Sequence, residues 1–250
     1  MIEFRGVHKL FPDPRGGEIT AVRDLNLVVQ DGETHCLIGT SGCGKTTTLR
    51  MVNRLEEPSS GRLLVGGDDV AGLEVYELRR RIGYVIQTGG LFPHMTVAKN
   101  VGIMCELSGW ATEDTQRRVT ELLQLVNLPA DEFATRYPGE LSGGQRQRVG
   151  VARALALDPD YVLMDEPFGA LDPITRAQLH EELEPVFAQV GKTVLLVTHD
   201  LDEAFKLADR VSIMDQGRLI QTGTEKELTS QPANSFVADF LAGHSAEESR

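Results

Sequence analysis

The chain has 250 residues, enough for one large domain, or a domain carrying a subdomain, around a sizeable core. A net charge of −12 argues against non-specific nucleic-acid binding, which needs a Lys/Arg surface, and against direct adhesion to anionic lipid. No stretch approaches the ~18 uninterrupted apolar residues of a membrane-spanning helix, and Ile2–Val7 gives way to polar residues without the apolar core of a signal peptide, so the expected location is the cytoplasm and any membrane role requires a partner.

In chain order, Ile2–Val7 and Ala21–Val29 read as strands of a side sheet. His35-Cys36-Leu37-Ile38 is a short apolar run that ends in Gly39, and a helix is expected over Thr46–Val52. Ile82–Val85 reads as a strand leading to Gln87. From about residue 91 to 156 the pattern turns helical. Val119, Leu122, Leu123 and Val126 recur at helical spacing after Thr112, a candidate N-cap, and Ser142 opens a helix expected to reach Ala156. Tyr161–Met164 is an apolar run ending in Asp165 and Glu166, and Thr193–Val197 is another ending in Thr198-His199-Asp200. Runs of this length between polar residues suit strands buried on both faces, whose C-terminal ends gather functional groups at one sheet edge. Beyond Gly223 the sequence offers short helices such as Ser235–Leu241, and His244–Arg250 is expected to fray.

The alternation implies an α/β fold: a core with a mainly parallel sheet, an antiparallel N-terminal β subdomain and an inserted helical subdomain. The expected boundaries place the core at about 1–87 and 157–223, the helical insert at about 88–156 and a short helical tail at about 224–250.

Gly39-Thr40-Ser41-Gly42-Cys43-Gly44-Lys45-Thr46 fits the phosphate-loop pattern in full, after a strand and before a helix that begins at Thr46-Thr47. Glycines let backbone N–H groups turn toward phosphate oxygens, and the helix N-terminus adds partial positive charge. Lys45 is the candidate contact to β- and γ-phosphates, and Thr46 the candidate hydroxyl for Mg²⁺. The alternative, a glycine-rich turn with a surface lysine, does not account for the full match in this context. Asp165 is placed to hold the metal's water shell and Glu166 to orient or deprotonate the attacking water. The three cysteines, Cys36, Cys43 and Cys105, are too few and too irregular for a metal site and suit a reducing compartment. Cys43, inside the loop, is a candidate reactive thiol.

Leu141-Ser142-Gly143-Gly144-Gln145 resembles the signature motif of ABC ATPases, and the resemblance covers essentially the whole chain. Ser142 and the N–H groups after it form a second anion site. The resemblance implies two chains packed head to tail, with two ATP molecules between phosphate loop and signature (Ser142, Gly143, Gly144, Gln145). Gln87 resembles the Q-loop glutamine that contacts metal and water and links to a membrane partner. Asp172 resembles the aspartate that crosses the dimer interface, and His199 the switch histidine on the γ-phosphate. Phe11 resembles the aromatic that stacks on adenine; plain core is its rival reading. Gln87 as a solvated strand end and His199 as a loop histidine are the corresponding alternatives. Gly169 departs from the serine usual before Ala-Leu-Asp.

Ile82-Gly83-Tyr84-Val85-Ile86-Gln87, Leu91-Phe92-Pro93-His94-Met95-Thr96-Val97 and Glu166-Pro167-Phe168 through Arg176 are similar to bacterial importers of the glycine betaine, choline and carnitine type. Polar amino-acid and polyamine importers share much of this, and a non-transport ABC ATPase is a further alternative. The implied partners are a membrane permease, which places the chain on the inner face of the membrane, and indirectly an extracytoplasmic solute-binding protein. Phe92–Val97 is the expected docking stretch, with Phe92 and Val97 as core residues the alternative. Many such ATPases continue into regulatory repeats; this chain stops soon after Leu241, so it is expected to lack them or to be shortened.

Overall fold

Strands open the chain, strands and helices interleave after them, and a run of helices over residues 97–154 interrupts the pattern. The computed structural model describes residues 1–87, 90–169 and 171–245. In order, the elements are β1 (Ile2–Pro12), β2 (Glu18–Val29), β3 (Thr34–Gly39), α1 (Lys45–Val52), β4 (Ser60–Val65), β5 (Asp68–Asp69), α2 (Val75–Arg80), β6 (Ile82–Val85), α3 (Val97–Leu107), α4 (Thr112–Leu125) and α5 (Ala130–Phe133). There follow α6 (Gly143–Ala154), β7 (Tyr161–Asp165), α7 (Pro173–Val190), β8 (Thr193–Val197), α8 (Leu201–Leu207), β9 (Arg210–Asp215), β10 (Arg218–Gly223), α9 (Glu225–Ser230) and α10 (Ser235–Ser245). The chain divides into two compact units: Met1–Leu78 together with the chain from Thr193 onward, and Arg79–Lys192.

The first unit holds an antiparallel sheet in the order β2-β1-β4-β5. Ile2, Phe4 and Val7 bury one face of β1 while Glu3 and Arg5 face outward, as a half-solvated sheet requires. β1 runs beyond Val7 to Pro12 and β2 starts at Glu18 rather than Ala21, because the two pair as a long hairpin from Ile2↔Val29 to Pro12↔Glu18. That pairing recruits residues such as Lys9 and Glu18 that no apolar pattern marks. In the second sheet of this unit β3 lies between β9 and β8, parallel to both, and β10 turns back antiparallel on β9. Cys36, Leu37, Ile38 and Val194–Val197 are all buried, the continuous burial expected of parallel strands covered on both faces.

The second unit joins β6 and β7 in parallel, Ile82↔Tyr161 through Val85↔Met164, to the helices α3–α7. Gly83 is required by packing: a Cβ there would lie 2.3 Å from the carbonyl oxygen of Ala154 at the end of α6. α4 presents Val119, Leu122 and Leu123 to its core as expected, but its N-cap is Ala111, without a side-chain cap, and Thr112 is its first residue. Glu113 and Asp114 in the first turn instead offset the helix dipole. α6 ends at Ala154, two residues earlier than the sequence suggests, where Leu155 takes the C-cap. α10 extends past Leu241 to Ser245, so His244 and Ser245 are helical rather than frayed; the rest of that tail lies outside the described residues.

A polar chain ties the strands of the first unit together inside its core. His35, fully buried on β3, places Nδ1 2.6 Å from Glu33 Oε1 and Nε2 2.8 Å from Ser212 Oγ on β9. Ser212 Oγ is 2.6 Å from Thr222 Oγ1 on β10. Burial pushes the Glu33 carboxyl up, but hydrogen bonds from His35 and from the Gln30 N–H outweigh it and hold the group below the usual carboxylate range. A depressed pKa means stability that is present above the ordinary value of 4.5 and lost as pH falls through the folded one. Glu33→Gln should therefore cost roughly 1–3 kcal/mol near neutral pH. The gap in melting temperature from wild type should close as pH falls below 4.5; a gap constant down to strong acid would show that the Glu33 charge contributes nothing.

Candidate nucleotide-binding site

The phosphate-loop residues lie in the first unit, between β3 and α1. Gly39 (φ 150°) and Gly44 (φ 104°) adopt backbone conformations that side chains disfavour, and the space around them is closed as well. A Cβ on Gly39 would stand 2.0 Å from Met214 O, and one on Gly44 2.3 Å from Ala21 O. Lys45 is 6% exposed; its Nζ donates to Gly39 O at 2.8 Å and Thr40 O at 3.1 Å. The ammonium thus curls back over the loop. Thr46 and Thr47 are half-buried in the first turn of α1. Thr40 Oγ1 donates to Asp215 Oδ1 at 3.2 Å. Cys43 does not bear out its expected reactivity: it is 2% exposed, and burial raises its thiol pKa against the opposing charge of Lys45, so it stays protonated.

Two further expected residues belong to this unit. Phe11 is half-buried on β1, outside the core, with Lys9 Nζ 4.6 Å above its ring. One face of the ring is thus already covered by a cation. His199 is exposed just beyond β8.

The second unit brings together two pairs of expected residues. Gln87 Nε2 donates to Glu166 Oε2 at 2.8 Å. Asp165, at the end of β7, is 6% exposed and accepts from Tyr84 Oη at 3.3 Å. Glu166 follows at φ 44°, a left-handed conformation that non-glycine residues seldom adopt and that concentrates at functional sites. A Cβ on Gly169 would lie 3.3 Å from Glu166 Oε2, so glycine in place of the usual serine leaves that carboxylate uncrowded. The other pair is the signature segment and Asp172. Ser142 caps α6, its hydroxyl accepting from Gln145 N at 3.2 Å while Gln145 Oε1 accepts from Ser142 N at 2.9 Å. Asp172 caps α7, accepting from Thr175 N at 3.0 Å; hydrogen bonding to the Thr175 side chain first, and to its N–H second, holds the carboxyl below the usual range. Cβ atoms on Gly143 and Gly144 would meet Leu171 at 2.8 Å and Thr175 at 3.1 Å, so the two capped helix ends pack together. Ala170 lies outside the described residues.

Sequence reasoning missed Tyr84, which gave no signal, and Asp215. The latter ends the run Val211-Ser212-Ile213-Met214, apolar but for Ser212, a weaker form of the pattern that exposed Asp165.

Residues 22–169 match the family described as ABC transporter. The chain belongs to that family. It is 52% identical over 96% of its length to the carnitine transport ATP-binding protein OpuCA of Listeria monocytogenes, and spans 59% of that protein. It is 49% identical over its whole length to the glycine betaine/carnitine/choline transport ATP-binding protein OpuCA of Bacillus subtilis, spanning 64% of it. To the glycine betaine uptake system ATP-binding protein YehX of Escherichia coli it is 50% identical, covering 96% of this chain and 76% of that one. Its fold matches a bacterial ABC transporter cassette solved as a dimer in a post-hydrolysis state bound to ADP and Pi. There the TM-score is 0.79 at 32% identity, over 90% of this chain and 98% of that one.

Within this family fold, the buried Lys45 ammonium is the positive charge closest to hand for a phosphate in the Gly39–Thr46 loop. Lys45→Ala should weaken binding of a fluorescent ATP analogue at least about tenfold and abolish turnover. Near-normal affinity and turnover would contradict the assignment of the loop.

Proposed function

We propose that this chain is the ATP-binding and ATP-hydrolysing subunit of an importer for a quaternary-amine osmoprotectant such as glycine betaine, choline or carnitine. The observation that carries the reading is the hydrogen bond from Gln87 to Glu166. It ties the carboxylate read here as the general base to Gln87, which precedes Phe92–Val97 in the chain. The relatives named for carnitine, choline and glycine betaine transport support the solute class. Solute choice itself rests with a membrane permease and an external binding protein, and this chain sits on the cytoplasmic face of the permease. Among the described residues no helix is long and apolar enough to cross a membrane.

In this reading backbone N–H groups of Gly39–Thr47 and the Lys45 ammonium hold the phosphates, Phe11 stacks on adenine, and His199 touches the γ-phosphate. Thr46, Asp165 and Gln87 are the groups for Mg²⁺. An Mg²⁺ ion usually keeps several waters and binds through one or two protein groups plus substrate phosphates. Bound Mg²⁺ supplies charge neutralisation at the phosphates. Glu166 accepts the proton of the attacking water as its oxygen bonds to the γ-phosphorus and the bond to the ADP oxygen breaks, yielding ADP and Pi. Ser142, Gly143, Gly144 and Gln145 meet the nucleotide of a second copy, with Asp172 at the same interface. ATP closes this dimer and loss of the γ-phosphate opens it, a population shift set by the differential affinity of the two states.

Docking to the permease has a surface to use. Val97 is fully buried, but Phe92 is 40% exposed beside the Arg153 guanidinium, so only Val97 belongs to the core. On the same unit a groove of about 540 Å³ opens between α3, α4 and α5, lined by Lys99, Trp110, Thr115, Val119 and Ala134. Its mixed walls, with Trp110, Val119, Ala130 and Ala134 among polar Lys99, Glu106 and Gln116, suit an amphipathic helix of the permease.

Two experiments test these parts separately. Glu166→Gln removes the charge of the base and should slow hydrolysis by about 10²–10⁴. ATP binding persists, so the variant should elute as an ATP-bound dimer, and adding Ser142→Arg should return it to monomer. Hydrolysis at the wild-type rate would remove Glu166 from the mechanism; an inactive variant that stays monomeric would make closure depend on the permease. Trp110→Glu should abolish permease copurification and transport while ATP binding by the isolated chain is unchanged. Normal copurification would rule the groove out as the docking site.

A further inference from the structure

We propose that Glu203 is a positioning residue for His199, acting through the Thr198 hydroxyl. The proposal rests on the reading of His199 as the γ-phosphate contact. His199 is exposed, yet its neighbourhood is closed: Thr198 is 1% and Glu203 2% exposed. Thr198 Oγ1 donates to Glu203 Oε2 at 2.8 Å and accepts the Asp200 N–H at 3.0 Å. Asp200 Oδ1 accepts the Glu203 N–H at 3.1 Å, and Thr198 donates its own N–H to Leu37 O at 3.3 Å on β3. Both residues flanking His199 are therefore tied down.

The arrangement departs from an ordinary helix start in an informative way. Asp200 is the N-cap of α8 and Glu203 its third residue, the spacing at which a glutamate side chain usually reaches back to the cap's own N–H. Here the Asp200 N–H goes to Thr198 Oγ1, and Glu203 accepts the hydrogen bond from that hydroxyl instead. The box is widened by two residues, and His199 is enclosed in it. Capping α8 alone needs only Asp200; the buried carboxylate adds a constraint on the backbone from which His199 projects. Burying a carboxylate is costly unless hydrogen bonds hold it. The same carboxylate lies near enough to the Cys36 thiol on β3 to help raise its pKa after burial, so the clamp is set beneath the strand that feeds the phosphate loop.

The test is a double-mutant cycle on ATP turnover, with binding of a non-hydrolysable analogue and melting temperature measured beside it. Thr198→Val keeps shape and removes the hydroxyl; Glu203→Ala removes the acceptor. Each should lower kcat on the order of 10- to 100-fold, as misplacement of a catalytic group does, with KM and analogue affinity near wild type. Thr198→Ser and Glu203→Gln, which retain the hydrogen bond, should restore most of kcat. In a His199→Ala background, Thr198→Val and Glu203→Ala should cause no further loss. Additive losses in that background, or wild-type kcat in both single variants, would overturn the proposal and leave Glu203 a purely structural residue. If Glu203→Ala does not fold, Thr198→Val decides. Wild-type turnover by His199→Ala would overturn the reading of His199 itself, and the clamp with it.

Discussion

Two backbone approaches govern the first unit. Where β3 ends, Gly39 passes so close to Met214 that no side chain fits, and four residues after Thr40 the chain repeats this at Gly44 against Ala21. The loop between them is held by further backbone bonds: Gly217 N–H to Cys43 O at 3.1 Å, and Arg23 N–H to Gly217 O at 2.7 Å. The β9–β10 turn and β2 thus brace the phosphate loop from outside. This accounts for the antiparallel sheet in a unit whose chemistry belongs to the parallel one. β2 supplies Ala21 and Arg23, and β1 holds β2 in register.

A braced loop can carry charge that a flexible one could not. Lys45 is buried, and burial of an ammonium is costly without partners. The carbonyls of Gly39 and Thr40 provide them, at distances fixed by the same strained glycines. In a chain of net charge −12 this local arrangement, together with the N-terminus of α1, concentrates positive charge at the loop. Cys43 shows the constraint from the other side. Its sulfur, 3.8 Å from Lys45 Nζ, would be activated in an open loop, but closing the loop buries it and leaves it inert.

What was legible in the sequence follows the same division. β3, β6, β7 and β8 were readable because parallel strands buried on both faces must be continuously apolar. The phosphate loop, the acidic strand end and the signature were readable because their backbone geometry demands particular residues at fixed spacing. The ends of β1 and β2 were not, since they are set by hairpin pairing rather than by their own pattern. Thr112 as a cap failed because propensity at a helix start is decided within one residue, and Ala111 took the position. Tyr84 and Asp215 act through contacts across 81 and 175 residues, which no local spacing encodes. Glu203 was within reach: Asp200 and Glu203 have capping-box spacing, but only the structure shows that the glutamate bonds past the cap.

The second unit raises a question that electrostatics answers. Two helix N-termini, of α6 and α7, pack side by side, and each carries partial positive charge. Their caps differ. Asp172 stays ionised, because hydrogen bonds from the Thr175 side chain and then from its N–H hold its pKa down, and its charge offsets the dipole of α7. Ser142 is neutral, and its hydroxyl and Gln145 complete the capping box without adding charge. The α6 end therefore keeps its positive potential while the α7 end loses it. An anion approaching this pair therefore meets an attractive field at Ser142 and a repulsive one at Asp172. Exchanging the cap types would reverse that preference without altering the packing of either helix.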